Sequence, residues 1–161
     1  MDAPERRLHR LGRMSRAFSR LPIWLYRAHL GWLRGERFLL LMHTGRTSGM
    51  ERRTVLEVIR HDADTGAYVV CSGWGESADW FRNVLKTPDV AIAVGHRRFA
   101  ATATRLPEAE GEQIFLTYAR RHPRAFRNLT RVLLNQRAES MEALCQQMAR
   151  TAPVVAFRPK P

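Results

Sequence analysis

The spacing of apolar positions changes along the chain, and each change marks a different kind of element. From residue 5 to 21, Leu8, Leu11, Met14, Phe18 and Leu21 recur every three or four positions, with six arginines between them. That period predicts a basic amphipathic helix. A second short helix is expected after Pro22, carrying Trp24, Leu25, His29 and Trp32, before Gly31 and Gly35 interrupt the pattern. In the middle of the chain, short apolar runs bounded by turn residues replace the helical period. Strands are predicted over 38–43, 54–59, 67–72, 90–94 and 98–104. The second and third flank Asp62-Ala63-Asp64-Thr65-Gly66, and the last two flank Gly95-His96-Arg97, so each pair is expected to form a hairpin. A helix is expected over 78–86. Pro107 followed by Glu108, Glu110 and Glu112 opens another, running to about Arg121. Further helices are expected over 123–134 and 141–149, and a closing strand over 154–157.

Antiparallel hairpins with inserted helices and a late strand imply a small barrel, since a parallel sheet would need a helix after each strand. The expected class is α+β with a mainly β core and helices at both ends. Residues 1–36 form the basic helical arm and 37–161 the barrel, within one domain overall. The length of 161 residues is enough to bury a core without disulfides or a structural metal.

Charge adds the next constraint. The chain carries 27 basic against 15 acidic residues, a net charge of +12. Nine arginines and three acids lie in residues 1–37, so half of that excess sits in this N-terminal stretch. A polyanion is the expected partner: an anionic membrane surface met through residues 1–21, or nucleic acid. Nucleic acid is the weaker candidate, because no groove-reading motif is visible. Arg120, Arg121, Arg124, Arg127, Arg131 and Arg137 extend the positive field, with no acid between Glu112 and Glu139. No secretory signal and no run long enough to span a bilayer are read, and Cys71 and Cys145 are too isolated for a zinc or dithiol motif. A cytoplasmic protein is expected, with peripheral contact at the inner membrane face left open. His43, His96 and His122 lack metal-ligand spacing and read as turn or surface residues. Cys71 reads as a small apolar filler.

Chemistry concentrates between the first two strands, in Thr44-Gly45-Arg46-Thr47-Ser48-Gly49-Met50-Glu51-Arg52-Arg53. Glycines allow amides to converge on an anion, hydroxyls donate, and guanidiniums add bidentate charge-assisted bonds. The spacing is not that of a P-loop. On composition alone, a phosphate cradle and a plain hairpin turn with solvated arginines are equally open. A second segment, Ser72-Gly73-Trp74-Gly75, leaves a strand and leads to Trp80 and Asn83, where an indole and an amide suit a flat ligand. Val84 and Leu85 read as the buried stripe of the helix, and Trp80 as core, ligand wall or both.

Together these segments resemble the deazaflavin-dependent nitroreductase and quinone-reductase family. Its TGRxSGxxR motif matches residues 44–52, and its W[YF]xNLxxxP pattern matches residues 80–88 with Val84 at the leucine position. The resemblance implies an FMN-binding-like split β-barrel that holds the 8-hydroxy-5-deazaflavin coenzyme F420. Carried over by position, Gly45, Arg46, Ser48, Gly49 and Arg52, with Thr44, Thr47 and Arg53 alongside, would serve the coenzyme's phosphate and acidic tail. Ser72, Gly73, Trp74 and Gly75 would border the ring, and Trp80 and Asn83 would support that wall. Thr47 stands where many members carry lysine, and Arg97 and Arg98 are read as reserves of charge for the tail. The implied reaction is hydride transfer to a small-molecule acceptor, a quinone, enone or nitroaromatic, with Tyr118 as the candidate acceptor-side donor and no dedicated catalytic base. An FMN- or haem-binding barrel and a homodimer remain open alternatives.

Overall fold

Alternation along the strands divides their side chains between two cores, one inside a barrel and one beneath a layer of helices. The computed structural model describes residues 35–134 and 140–161. Nearly all of the expected basic arm lies outside them. The elements in chain order are β1 (Phe38–Thr44), β2 (Glu51–His61), β3 (Tyr68–Cys71), α1 (Asp79–Lys86), β4 (Asp89–Val94), β5 (Arg97–Arg105), α2 (Glu108–Arg121), α3 (Pro123–Leu134), α4 (Met141–Thr151) and β6 (Val154–Pro159). The six strands close an antiparallel split barrel in the order β1-β2-β3-β6-β5-β4.

β6 shows why the closing strand reads as an unbroken apolar run. Val155 and Phe157 point into the barrel core with Leu39, Leu41, Leu56, Val70 and Ile92. Val154 and Ala156 face outward and pack with Ile114, Phe115, Phe126 and Met148 of the helices. A strand buried on both faces has no polar positions to alternate with. Trp80, Phe81 and Val84 of α1 join the barrel core, whereas Leu85, expected in the buried stripe, is 47% exposed.

β2 runs further than its apolar residues indicate. Its register with β1 extends from Phe38↔Glu57 to Thr44↔Glu51, so pairing carries the strand through the polar Glu51-Arg52-Arg53 segment. β3 ends at Cys71, because the Ser72 N–H turns away to the Pro153 carbonyl at 2.9 Å. No helix among the described residues is long and apolar enough to cross a membrane.

Candidate functional site

The turn between β1 and β2 is tightly built. The Gly45 N–H donates to the Met50 carbonyl at 2.8 Å, and the Gly49 N–H donates back to the Gly45 carbonyl at 2.8 Å. A Cβ on Gly45 would lie 2.7 Å from Ser48 Oγ and 3.3 Å from the Met50 carbonyl oxygen. Gly49 has φ +69°, a conformation that L side chains adopt only with strain. Gly49 is thus favoured by its backbone conformation, and Gly45 by the close approach of Ser48 and the Met50 carbonyl.

Asn83 of α1 ties this turn to the barrel mouth. Its Oδ1 accepts from the Arg46 N–H and from Arg46 Nη1, each at 3.0 Å. With Oδ1 committed, Asn83 Nδ2 faces His43 and donates to its Nδ1 at 3.1 Å. The imidazole proton then sits on Nε2, aimed at Thr54 Oγ1 3.3 Å away. Arg46 also pairs with Asp79 at 2.9 Å, and Lys86 Nζ donates to the Arg46 carbonyl at 2.9 Å. Arg46 is thus held by three residues of one helix.

His43 corrects the expectation of a turn or surface residue, being only 4% exposed. Leu39, Leu41 and His43 alternate onto the inner face of β1, so the period of two was the available signal. Burial, reinforced by the positive Arg52, pushes the imidazole down to about 4 from its ordinary 6.5, with Asp79 pulling the other way. A depressed folded-state pKa makes this contribution to stability complete above pH 6.5 and lost as the pH falls towards 4. Urea midpoints of the wild type should therefore decline more steeply across that window than those of His43→Gln. Parallel declines would contradict the assignment.

These groups border an open cleft of about 800 Å³ at the barrel mouth. Of the residues expected from sequence, Gly45, Arg46, Thr47, Ser48, Arg52, Arg53, Trp80 and Asn83 line it, joined by His43, Glu51, Thr54 and Asp79, which sequence reasoning missed. Asp79 lies one helical turn before Asn83, and that spacing was its signal. Trp80 is both core and wall, buried in the barrel cluster while lining the cleft. Arg53 pairs with Glu51 at 2.9 Å. The Arg52 guanidinium makes no ion pair or hydrogen bond among the described residues, so it is the cation at this mouth left for a ligand.

Other expected residues lie elsewhere. Thr44 and Gly49 build the turn without lining the cleft. Ser72, Gly73, Trp74 and Gly75 form a separate bend, in which Ser72 Oγ donates to the Gly75 carbonyl at 2.6 Å and Trp74 is 56% exposed. Tyr118 donates to Glu57 at 3.3 Å, beside a second cavity of about 700 Å³. Burial, followed by the Glu57 charge, pushes its phenol up to about 12, so it is a neutral donor. Burial likewise raises the Cys71 thiol to about 12, and it packs against the helical core. Arg97 and Arg98 are corrected as reserves for the tail. They pair with Val94 and Ala93, and β4 there lies beside Leu39 and Leu40, towards the far end of β1 from Thr44. Arg97 is also committed to Glu36 at 2.5 Å and to the Tyr68 hydroxyl at 2.7 Å.

The six strands form a small antiparallel barrel with a guanidinium-lined cleft at its mouth, an arrangement suited to an anionic ligand. The profile of the F420H2-dependent quinone reductase family matches residues 18–132, and the chain belongs to that family. It is therefore an F420H2-dependent reductase with coenzyme F420 as its cofactor. Among solved structures, it is similar to the F420-H2 dependent reductase FDR-A, with 19% identity over 77% of this chain and 96% of that one, and a TM-score of 0.51. It is also similar to a protein of unknown function from Agrobacterium tumefaciens, at 14% identity, 88% and 56% coverage and TM-score 0.55. A third similar structure is a conserved hypothetical protein from Mycobacterium tuberculosis, at 14% identity, 83% and 80% coverage and TM-score 0.52. At these identities the structural likenesses show the fold alone. Comparison with curated proteins found no match.

The donor set fits an anionic coenzyme. A guanidinium unpaired among the described residues, two loop hydroxyls and a tight glycine turn are what a phosphate group needs.

Proposed function

We propose that this reductase passes a hydride from reduced coenzyme F420 to a quinone, with enones and nitroaromatics as further acceptors. The observation that carries the site assignment is the Arg52 guanidinium, unpaired among the described residues, beside a turn that Asn83 and Asp79 hold in place. Arg52 binds the phosphate with Thr47 and Ser48, and Arg46 positions the turn. Arg53 adds charge for the acidic tail from the outer face of β2.

Bound coenzyme supplies the hydride chemistry. The protein's own contribution is binding, orientation and stabilisation of charge that develops on acceptor oxygens. Arg53, Val55 and Glu57 alternate onto the outer face of β2, so the strand leads from the anion end towards the Glu57–Tyr118 pair. Arg53 and Glu57 are about 14 Å apart along it. Ser72–Gly75 follows β3, which pairs with β2 at Val58↔Val70, so Cys71 ends beside the Glu57 portion of β2. A bend on the Tyr118 side of the barrel supports the ring-bordering role. Tyr118, kept neutral by burial, would turn its one O–H from Glu57 to the acceptor oxygen. Trp80, expected to support the ring wall with Ser72–Gly75, instead lines the cleft beside the β1–β2 turn.

The test is anaerobic turnover of the full chain with reduced coenzyme F420 and a soluble quinone, followed by deazaflavin absorbance. Tyr118→Phe should lower kcat/KM about fivefold, the value of one neutral hydrogen bond, with coenzyme affinity unchanged. No oxidation of the coenzyme by any of the three acceptor classes would overturn the reading. The FMN and haem alternatives are separated by absorbance of the purified protein. A homodimer is consistent with a similar solved structure that is a domain-swapped dimer, at 20% identity, 77% and 81% coverage and TM-score 0.52.

A further inference from the structure

Five arginines at the junction of α2 and α3 take no part in the cleft. Arg120 and Arg121 close α2, and Arg124, Arg127 and Arg131 follow on α3. Spacings of three and four place those last three along one side of α3, while Phe126, Thr130 and Leu134 are buried. All five arginines are exposed, and none of their guanidiniums has an ion pair or hydrogen bond among the described residues. No acid occurs along the sequence between Glu112 and Glu139.

The end of this stripe is apolar as well as charged. Val132, beside Arg131, is 75% exposed, and Trp74 is 56% exposed. The Trp74 bend abuts the last turn of α3, since a Cβ on Gly73 would lie 3.1 Å from Leu133 Cδ2. Exposed arginines flanked by an indole and an aliphatic side chain match the two layers of a lipid interface, where phosphates take the guanidiniums and the headgroup–acyl boundary takes Trp and Val. A nucleic acid would satisfy the arginines but offer Val132 no apolar surroundings.

We propose that the Arg124–Arg127–Arg131 side of α3, with the adjoining Trp74–Val132 corner, docks on an anionic bilayer. This surface is separate from the expected arm at residues 1–21. It complements the quinone reading, because an apolar quinone resides in the bilayer, but does not depend on it.

The test is flotation of the full chain, without coenzyme, on vesicles of phosphatidylglycerol and phosphatidylcholine and on phosphatidylcholine alone. The wild type should float with the anionic vesicles only, and added salt should release it. Each basic group near an anionic surface contributes a factor of about five. The triple variant Arg124→Gln, Arg127→Gln, Arg131→Gln should therefore bind at least tenfold more weakly, with an unchanged melt and unchanged coenzyme binding. Val132→Ser should weaken binding about threefold. Equal flotation of wild type and triple variant, equal flotation on neutral vesicles, or binding to a DNA duplex in place of vesicles would overturn the proposal. Because no coenzyme is present, such a failure leaves the reductase reading untouched.

Discussion

Replacing Asn83 with leucine is expected to destabilise the protein by about 2–5 kcal/mol, the largest effect of any single change at the site. Leucine keeps the volume but removes every side-chain hydrogen bond at this position. His43 Nδ1 loses its donor while remaining buried, and the Arg46 N–H and Nη1 lose their shared acceptor. Leaving buried polar groups unpaired costs more than the bonds themselves contribute, which is why a near-isosteric swap should be so damaging. Asn83→Asp separates packing from hydrogen bonding. A carboxylate still accepts from Arg46 but cannot donate to Nδ1, so His43 should instead protonate and its pKa should rise well above about 4. Urea unfolding and an NMR titration of the His43 ring check both effects. Wild-type stability in Asn83→Leu would show that the chain from Arg46 to Thr54 does not hold the turn.

Arg52→Ala is expected to do the reverse, leaving the fold intact while weakening coenzyme F420 binding. Its exposed guanidinium has no partner among the described residues, so its removal should change stability by no more than about 0.5 kcal/mol. A hydrogen bond to a charged group contributes about 1.5–3 kcal/mol, which corresponds to a dissociation constant raised about 13- to 150-fold. Arg52→Lys should recover only part of this, because an ammonium lacks the planar fork that grips two phosphate oxygens. Arg46→Ala should lose comparable affinity but also melt earlier, since Arg46 bonds to Asn83 and Asp79. Calorimetry and binding measured on the same preparations distinguish the two arginines. Unchanged affinity in Arg52→Ala would remove it from the anion site.

Much of this architecture was legible in the sequence because its elements announce themselves locally. Residues 62–66 and 95–97 mark two hairpins, and Pro107 with its acids marks the start of α2. The glycine turn between β1 and β2 was legible for the same reason, since Gly45 and Gly49 meet steric demands set within a few residues. What depended on distant pairing was less visible. Nothing in Glu51-Arg52-Arg53 reads as strand until β1 is paired beside it. Arg46 and Arg52 look alike in the motif, and only the arrival of α1, more than 30 residues later, divides them into a positioning and a ligand-ready residue. Arg97 and Arg98 were misplaced because closure of β4 against β1 carries their turn to the opposite end of the strand. Tyr118 lies away from the cleft because α2 packs over the Glu57 portion of β2.

Location of the anion site at the β1–β2 mouth is the claim on which the functional account turns. Equilibrium titration of the full chain with coenzyme F420, followed by deazaflavin fluorescence, tests it in wild type, Arg52→Ala and Arg98→Ala. Saturable binding that Arg52→Ala weakens at least tenfold and Arg98→Ala leaves unaltered is the predicted result. Absence of saturation, or equal losses from both substitutions, would contradict it.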